Sequence, residues 1–595
     1  MKGIRFFATG AFFVYCVISF IRPAFAGEEN TDVIVVRKSA GGIYSIGSED
    51  ISYFAPGQSA LGVTGLLPLE SDFKGAGGDG QADFSLRGGG FESLAVTVDG
   101  QRINDPQTGH YTCDIPLTAA DIERLDLTGP AEQTAGGAVS GGMDFRRRLP
   151  LENENRVAGS FGSHALSSGA FSFTRGNGES GARVSVLKRR SSGFREDTAF
   201  ENNIVTFSGL LRGDNTALKA DWGYQDKYFG AYDFYTPGKG YLSDERTRTH
   251  LADVSFALEK ENMSVKPSFL WRRHYDTFQL DRTKLRSTYL NHHRTDILRP
   301  GMEFSLAGAN GGKFSSGAEY NSERIVSQSL GNHNREIPAF WMTLDSAPLG
   351  DFSASAKARV DSPDKGDDIL STGFNLAYAL SGIYSLKGAV SVDGRLPSFT
   401  ELYYLDPTTA GSENLKSPRS VTYEAALERS VTGFNWQAGV FYRSEKDTID
   451  WIKRSSGQSV WQAENLSRLD TSGLEGRFRA ALSEICALSW DYAYAVRMKH
   501  EPGIIYKYGP GYTRHLSNAL LDLVLPSGTQ TFALKYTKKP GRDPWITADV
   551  ILRRRLNKQA TLFCSVSNLF NSEYQDIEGV PRPGRWIEAG CEVIW

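Results

Sequence analysis

Residues 218–225 read LKADWGYQ, an alternation of apolar side chains with polar or small ones. A period of two predicts a β-strand with one apolar and one polar face. The pattern returns at 434–443, where only Phe441 breaks it, and at 531–537. From about residue 156 to residue 595 it fills segments of roughly ten residues, the length that crosses a bilayer as a tilted strand. These rows indicate strands with one face toward lipid and the other toward a polar lumen.

The N-terminus predicts export from the cytoplasm. Lys2 and Arg5 precede an apolar stretch at 6–21, and Ala24-Phe25-Ala26 has the small-x-small form of a cleavage site, so residues 1–26 are expected to be a signal peptide. Its removal takes away three positive charges and moves the formal net charge from −3 to −6. Nucleic acid is therefore not an expected partner. The mean hydropathy of −0.35 suits a barrel, because a polar lumen cancels the apolar outer face.

The connections alternate between short turns and longer, polar and aromatic loops. Turns are predicted at 176–178, 212–215 and 556–559, and the longest loops at about 227–247, 274–296 and 394–419. This asymmetry is typical of membrane barrels, and the segments number about 22, a size that leaves a wide lumen. The last segment, 587–595, is expected to close the barrel against its first strand, with Trp595 at the membrane interface. The alternative is the last strand of a soluble sandwich.

The part from residue 27 to about residue 150 is richer in glycine, and its predicted strands are short and irregular. Such a segment before a wide barrel is a candidate plug inside the lumen. Near its start lies a short β-prone stretch, made of Asp32, Val33, Ile34, Val35 and Val36. An extended segment of this kind can add to the sheet edge of another protein through main-chain hydrogen bonds. The alternative is that it forms the first strand of the plug.

Several short motifs occur in a fixed order along the chain. They are SLRG at 85–88, VTVDGQRINDP at 96–106, IPL at 115–117, IERL at 122–125, GPA at 129–131, PSFTELY at 397–403, GSENLK at 411–416, VSNLFN at 566–571 and PGR at 583–585. Together they resemble the TonB-dependent outer-membrane transporters over nearly the whole mature chain. The compact barrel and the stretches 229–235 and 289–296 are similar to the cobalamin-transporter branch.

The resemblance implies an all-β membrane protein, an antiparallel transmembrane β-barrel of about 22 strands with an N-terminal plug domain in its lumen. The implied domains are a signal peptide at 1–26, a segment with the TonB box at 27–40, the plug at 41–150 and the barrel at 151–595. The implied function is active import across the outer membrane of a Gram-negative-type bacterium, driven by the inner-membrane transducer TonB through Asp32 to Val36. Outer-membrane lipid, lipopolysaccharide and the barrel-assembly machinery are implied as further partners of a monomer.

The resemblance also implies a charge lock in which Arg87 of the plug faces two barrel-wall glutamates, placed here at Glu424 and Glu475. The chain departs from the family pattern at Thr128, where an arginine usually precedes Gly-Pro. Either Arg124 takes that role or the lock is weaker. The stretch 133–137 also lacks an expected tyrosine.

Substrate contact is expected at the outer face, on one plug loop and the long outer loops, because aromatic and hydrogen-bonding groups suit a large amphipathic ligand. The candidates are Asn104, Asp105, Gln107, His110, Tyr111, Phe229, Tyr232, Phe234, Tyr235, Tyr289, Asn291, Tyr403 and Tyr404. The alternative is that the aromatics anchor the rim and pack the loops. The expected substrate is cobalamin or a related corrinoid, with a ferric siderophore as the alternative.

Metal ligands are weakly indicated. Asp226, Asp233 and Asp244, with Glu196, Asp197 and Glu245 nearby, have the oxygen ligands that calcium prefers, although solvated loop carboxylates are the alternative. No other cofactor is expected. The adjacent His292 and His293 point to opposite sides of a strand and make a poor metal pair. The mature cysteines have no CxxC spacing, and a disulfide between Cys564 and Cys591 stays open.

Two other functional classes compete with active import. A passive porin or adhesin barrel would explain the strands but not the plug motifs. A secreted β-rich enzyme would need a catalytic constellation, and the sequence contains neither HExxH nor GxSxG. No enzymatic activity is therefore expected.

Overall fold

The computed structural model describes residues 43–54, 56–75, 79–236, 238–284, 290–308, 310–499, 503–508 and 511–595. The predicted signal peptide, the segment 27–40 with Asp32 to Val36, and Tyr289 lie outside the described residues. Among the described residues, every helix is too short or too polar to cross a bilayer.

The first part of the described chain is a small domain around a five-stranded sheet. Its elements are β1 (Tyr44–Gly47), α1 (Ser48–Phe54), α2 (Ala60–Thr64), β2 (Glu70–Lys74), β3 (Gln81–Ser85), β4 (Leu94–Val98), β5 (Gln101–Arg102), β6 (Ile122–Thr128) and β7 (Gly141–Arg147), with 3-10 turns at Gly109–Cys113, Ala119–Asp121 and Pro130–Glu132. The sheet order is β1-β6-β7-β4-β5, and β2 and β3 form a separate hairpin. Asp99 and Gly100 both have positive φ in the tight turn between β4 and β5.

The remaining chain is almost entirely β-structure. Its first elements are β8 (Glu154–Gly162), β9 (Leu166–Gly176), β10 (Gly181–Ser191), β11 (Phe200–Arg212), β12 (Thr216–Gly230), β13 (Asp244–Lys260), β14 (Met263–Gln279), β15 (Leu290–Ala307), β16 (Lys313–Ser327), β17 (Gly331–Asp345), β18 (Phe352–Asp361), β19 (Ile369–Ala379) and β20 (Tyr384–Gly394). There follow α3 (Phe399–Tyr403), β21 (Leu405–Asp406), β22 (Thr409–Ala410), β23 (Arg419–Val431), β24 (Phe434–Lys446), β25 (Thr448–Lys453), β26 (Trp461–Leu466), β27 (Leu469–Ser483), β28 (Cys486–Lys499), β29 (Ile505–Tyr506), β30 (His515–Leu525), β31 (Gly528–Lys538), β32 (Trp545–Arg555), β33 (Ala560–Ser567) and β34 (Trp586–Ile594).

Twenty-two of these strands in the described residues form one closed antiparallel barrel. The strand β34 closes it by pairing with β8, and the main chains of Asn155 and Trp595 exchange two hydrogen bonds at the end of this pair. In β12, Leu218 and Trp222 are exposed on the outer side, whereas Asp221 faces inward and is buried. The predicted fold class, a barrel of about 22 strands preceded by a plug domain, is confirmed.

The connections at one end of the barrel are all short, whereas those at the other end include every long one and also two short turns, 163–165 and 328–330. The short end has turns such as 213–215, 261–262 and 484–485. At the opposite end, the predicted loops 227–247 and 274–296 are wrong in extent, because β12 to β15 continue well into them and leave only 231–243 and 280–289 as connections. Additional long connections at 447–468 and 568–585 did not stand out in the sequence. The parts of these strands that extend above the membrane resemble polar loops in sequence, and the loops were therefore predicted to be longer than they are.

Three of the long connections are joined in a second sheet, which we name the outer sheet. It has the order β21-β22-β26-β25-β29 and combines strands from the connections 395–418, 447–468 and 500–514. Because main-chain hydrogen bonds link all three connections, they form one unit above the barrel.

The small N-terminal domain lies against the inner barrel wall on several sides. Its apolar core includes Leu251, Leu270 and Ile297 of the barrel. Six of the ion pairs that join the two parts involve β10, β12 and β14 in five cases and Lys539, just after β31, in one. They are Asp121–Arg183, Asp79–Arg189, Asp99–Lys219, Asp114–Lys227, Asp105–Arg272 and Asp72–Lys539. In all six, the carboxylate comes from the plug and the cation from the wall.

The paired strands β33 and β34 carry one cysteine each, and their register places the two residues near each other. Cys564 lies opposite Ala589, and Cys591 lies opposite Leu562. The two thiols do not form a disulfide.

Candidate functional site

Arg87 of the plug contacts both predicted glutamates of the barrel wall. Its Nε and Nη2 donate to the two carboxylate oxygens of Glu475 at 2.8 and 2.7 Å, and its Nη1 donates to Glu424. The ring of Phe441 lies 5.0 Å from the guanidinium. Phe441, which breaks the alternation of β24, is therefore the inward residue that covers this ion triplet. The pKa of Arg87 is raised, because the two carboxylates outweigh the effect of burial.

No second plug arginine reaches the ion triplet from the position of Thr128 or from Arg124. Thr128 accepts a hydrogen bond from Gln133 Nε2 at 2.6 Å. Arg124 pairs with Asp126 at 2.8 Å and is 42% exposed, so the suggestion that Arg124 substitutes in the lock is wrong. The additional guanidinium near the triplet belongs to the barrel, since Arg443 donates to the main-chain oxygen of Arg87 at 3.2 Å.

Aromatic rings meet at the outer face of the plug, in a group that we name the apical cluster: Phe91, His110, Tyr235 and Tyr508. Phe91 stacks on His110 with ring centroids 4.4 Å apart, and Tyr508 meets Phe91 edge to face at 5.5 Å. Tyr235 lies 6.2 Å from His110. The plug contributes two of these rings, and two separate outer connections contribute the others.

A polar network holds the apical cluster from below. His110 Nδ1 lies 2.6 Å from Asp83, which also pairs with Lys74 at 3.1 Å. Burial lowers the pKa of His110 although Asp83 opposes this shift. Burial acts to raise the pKa of Asp83, but His110 and Lys74 hold it well below its usual range. The cluster therefore places aromatic faces above an ion pair of Asp83 and Lys74 that is compensated within the protein, which suits a large ligand with ring systems.

The outer sheet and α3 cover the side of the plug that carries the apical cluster. The main-chain N–H groups of Phe399 and Thr400 donate to the oxygens of Pro106 and Gln107, both at 2.9 Å. Tyr403 stacks on His333 with centroids 3.5 Å apart, and the ring of Tyr404 meets Trp451 edge to face at 6.5 Å. The predicted candidates Tyr403 and Tyr404 thus lie in this covering layer, next to aromatic residues that the sequence analysis did not identify.

An open polar cavity of about 720 Å³ lies beside the plug. Arg102 and Asn104 line it from the plug, and Arg299, Arg335 and Arg359 line it from β15, β17 and β18. Burial lowers the pKa of Arg102 to about 10. The cavity provides a hydrated space between the plug and the wall.

The other substrate candidates divide by burial. Asp105, Gln107, Tyr111, Phe229 and Phe234 are buried, while Asn104, Tyr232 and Asn291 are partly buried. Asp105 pairs with Arg272 at 2.5 Å, and the hydroxyl of Tyr111 donates to Asp276 at 2.6 Å, so both join the plug to the wall.

Several of these candidates have packing or internal hydrogen-bonding partners. Phe229 and Phe234 pack in one apolar cluster, and Asn104 bonds the main chain of Leu94 and Val96. Tyr232 lies 4.7 Å from the guanidinium of Arg195. Among the predicted candidates, His110, Tyr235, Tyr403 and Tyr404 keep partly or fully exposed rings on this side of the plug, and Phe91 and Tyr508 lie beside them.

The predicted calcium ligands do not gather. Asp226 pairs with Arg246 at 2.6 Å, Asp233 accepts the N–H of Gly240 at 2.9 Å, and Asp244 accepts from the hydroxyl of Tyr228 at 3.2 Å. In the described part of the chain, no three His, Cys, Asp or Glu side chains form a group that could hold a metal ion.

Phe91 and Tyr508 carried weak signals in the sequence. Phe91 directly follows three consecutive glycines at 88–90, which predict a chain reversal. A bulky residue directly after such a reversal points toward the outside. Tyr508 lies in a connection that the sequence did not separate from the strands around it. Their proximity depends on contacts between residues more than 400 positions apart.

Comparison with known proteins agrees with this architecture. The family model described as "TonB dependent receptor-like, beta-barrel" matches residues 150–569. No curated protein sequence matches the chain. The siderophore receptor PirA from Pseudomonas aeruginosa superposes with a TM-score of 0.75 at 16% identity, over 94% of this chain and 100% of that one.

Two more solved structures have the same fold. A variant of the ferric enterobactin receptor PfeA from Pseudomonas aeruginosa, in complex with enterobactin, gives a TM-score of 0.77 at 16% identity, over 94% of this chain and 100% of that one. The copper transporter OprC gives 0.79 at 13% identity, over 93% of this chain and 99% of that one. With a family model matching more than two thirds of its length, this chain belongs to the TonB-dependent receptor family.

Proposed function

We propose that this protein imports a ferric siderophore across the outer membrane and that TonB supplies the energy. The observation that carries the substrate class is the apical cluster, in which Phe91, His110, Tyr235 and Tyr508 present aromatic faces above the charges of Asp83 and Lys74. Ferric siderophores carry ring systems or amide groups around the iron, and the aromatic faces of the apical cluster complement these groups.

The comparisons favour the siderophore alternative over cobalamin. PirA and PfeA are described as siderophore and ferric enterobactin receptors, and OprC as a copper transporter. At these identities the likeness supports the fold, so the substrate proposal depends on the apical cluster. A passive porin does not suit a lumen occupied by the plug, and the family consists of transporters and receptors, not of enzymes.

A binding experiment tests the substrate class. Purified full-length protein is titrated with ferric enterobactin, ferrichrome, ferric citrate and cobalamin, and we expect tight binding of one iron chelate and none of cobalamin. Phe91→Ala and Tyr508→Ala should each weaken that binding by about tenfold, as for central aromatic contacts. Tyr320→Ala is the matched control, because Tyr320 is 46% exposed on the outer face of β16. Binding of cobalamin alone would overturn the proposal.

Coupling to TonB is proposed to run through Asp32 to Val36. The described chain begins beside the short-turn end, where Tyr44 of β1 lies 4.5 Å from the guanidinium of Arg477, seven residues before the turn 484–485. The described part of the plug thus begins in the half of the barrel nearer the short turns, the side on which an inner-membrane transducer would act. For substrate to signal across the barrel, its binding must favour the state in which this segment is exposed.

An uptake experiment tests the coupling. Val35→Pro removes a main-chain N–H needed for strand addition and should abolish accumulation of the iron chelate while leaving its binding intact. Val35→Ala keeps the N–H and serves as the control. Accumulation by the Val35→Pro protein at the wild-type rate would contradict the coupling without affecting the substrate assignment.

A further inference from the structure

Two arginines without a close carboxylate partner lie side by side in the polar cavity beside the plug. Arg102 of β5 donates through Nε to Oδ1 of Asn104 at 3.2 Å, and among the described residues no carboxylate forms an ion pair with it. Arg299 of β15 is 5% exposed and donates to the main-chain oxygen of Arg102 at 2.8 Å and to Oδ1 of Asn321 at 3.3 Å. The carboxylate of Glu319 is 3.9 Å from Nε of Arg299, and this Nε has no hydrogen-bond partner.

This contact differs from the ion pairs between plug and wall described above, because in those pairs opposite charges meet. Here a plug arginine lies beside a wall arginine. Burial and the neighbouring guanidinium groups of Arg299 and Arg359 lower the pKa of Arg102 to about 10, although Glu323 and Asp361 oppose the shift. Like charges at a partly buried interface repel each other unless an anion compensates them.

The other charged residues of the cavity have their own partners. The pairs are Arg335–Glu323 at 2.5 Å, Arg359–Asp361 at 2.6 Å, Arg395–Glu401 at 2.7 Å and Asp105–Arg272 at 2.5 Å, and Glu92 accepts the N–H of Gly109 at 2.8 Å. Glu319 is also 2.5 Å from Arg359, so its charge is shared between Arg359 and Arg299.

The arginines in contact with Arg102 and Arg299 therefore exceed their carboxylates by one. Four cations, Arg102, Arg299, Arg335 and Arg359, are balanced by three carboxylates, Glu319, Glu323 and Asp361. The uncompensated charge falls on Arg102 and Arg299, the two residues that have the poorest carboxylate contacts.

The plug leaves open space next to Arg102. Ala135 and Gly137 line the cavity from the stretch 133–137, which lacks the tyrosine expected from the sequence. A Cβ on Gly137 would lie 2.6 Å from Cζ of Arg102, so glycine at this position lets the guanidinium rest against the main chain. The small side chains thus position Arg102 and keep open a cavity of about 720 Å³.

We propose that this cavity binds an oxyanion of the phosphate or carboxylate type, whose oxygens accept hydrogen bonds from Arg102 and Arg299. Guanidinium groups bind such anions through paired N–H donors. The anion neutralises two adjacent cations and connects β5 of the plug to β15 of the wall. It is either a free solute or an acidic group of an imported chelate, and the experiment separates these two sources.

The first measurement uses free anions and does not depend on the proposed function. Inorganic phosphate is titrated with purified full-length protein in detergent, at constant ionic strength in chloride, and followed by phosphorus NMR. We expect the phosphate signal to broaden on binding and iron-free citrate to compete. At a phosphate concentration ten times its Kd, hydrogen exchange of residues 101–104 and 133–137 should slow by about tenfold.

The second measurement identifies the source of the anion. Ferric citrate is titrated with and without saturating phosphate. Competition between them would make an acidic group of the chelate the ligand, whereas simultaneous binding would leave the free anion as the ligand. Failure of phosphate, citrate and ferric citrate alike to bind would overturn the proposal.

Substitutions assign the anion to this cavity. Arg102→Gln and Arg299→Gln should each weaken anion binding by about tenfold, the effect of losing a charge-assisted hydrogen bond. Ala135→Tyr should abolish binding by filling the cavity without changing any charge, whereas Ala135→Ser keeps the space and should retain it. Arg124→Gln, at an exposed arginine of the plug, is the charge control.

Heat-modifiable gel mobility verifies that each variant has a folded barrel. Wild-type affinity for the anion in Ala135→Tyr and in both arginine variants would place the anion elsewhere and overturn the proposal.

Discussion

At the scale of single residues, the plug is held by few but strongly coupled charges. Arg87 occupies a left-handed backbone conformation, with φ at +53°, directly before Gly88 at +64°. This turn aims one guanidinium at two carboxylates on different strands, β23 and β27. Such an ion triplet contributes little net stability, but removal of one member leaves the others buried without compensation.

Arg87→Gln should loosen the plug, because Glu424 and Glu475 then face each other without a cation. We expect a loss on the order of 3 kcal/mol in the local stability of β3 and residues 86–90, read from amide hydrogen exchange. Arg124→Gln is the control, since an exposed ion pair contributes less than about 1 kcal/mol. Equal exchange in the two variants would show that the triplet does not anchor the plug.

Glu92 should make the outer face of the plug sensitive to pH. Burial and the carboxylate of Glu401 raise the pKa of Glu92, although Arg395 and the N–H of Gly109 oppose the shift. The folded state therefore holds a proton that the unfolded state releases first. Stability from this group is full below the ordinary carboxyl pKa and is lost as pH rises through the elevated value, by about 1.4 kcal/mol per unit of elevation.

Glu92→Gln removes this dependence. Hydrogen exchange of residues 104–111, corrected for intrinsic rates, should match wild type at pH 5 and be slower than wild type at pH 8. Glu413→Gln, on an exposed part of an outer connection, should leave the exchange unchanged at both values. A variant that matches wild type at pH 8 would contradict the elevated pKa.

At the scale of elements, the outer sheet joins three connections that are far apart in sequence. β22 pairs with β26, and β25 pairs with both β26 and β29. Through α3 the same unit donates two hydrogen bonds to the plug loop at Pro106 and Gln107. This pairing predicts that the three connections move together during import and that such a motion reaches the plug at α3.

A disulfide within the outer sheet tests this shared motion. Lys453 lies opposite Ile505 across β25 and β29, so a Lys453→Cys, Ile505→Cys pair should oxidise readily. Because these strands already move as one unit, we expect uptake in the oxidised state to stay within about twofold of the reduced state. The reduced protein is its own control. A block of uptake on oxidation would mean that the connections must separate.

At the scale of the whole molecule, the protein is an outer-membrane transporter of the TonB-dependent receptor family, with a barrel whose lumen is filled by its own N-terminal domain. Carboxylates of the plug meet cations of the wall at six places, five of them along β10, β12 and β14. A polar, ion-paired interface separates more readily in water than an apolar one, which is compatible with the coupling proposed above.

Removal of residues 27–149 should convert the protein into an open pore. The emptied 22-stranded barrel is wide enough to conduct ions, so we expect steady single-channel currents in planar bilayers. The intact chain, reconstituted in parallel, should show no such currents. Equal conductance of the two proteins would mean that the N-terminal domain does not occlude the lumen.

The sequence by itself determined the strand architecture, the number of strands and the family. Period-two alternation and turn chemistry are local properties. The lipid-facing positions of Leu218 and Trp222 can therefore be assigned without reference to distant residues. The SLRG motif at 85–88 could be located by resemblance because its residues are contiguous, and the resemblance also implied the two distant glutamates as partners of Arg87.

Only the tertiary structure decided how far the strands rise, which connections pair and where side chains from distant strands meet. The apical cluster joins Phe91 to Tyr508, and the outer sheet joins β22 to β26 and β26 to β25. Alternation predicts which face of a strand a residue occupies, but not which residue of another strand it contacts on that face. Those neighbours are set by strand register and barrel closure, which depend on the cooperative pairing of the entire sheet.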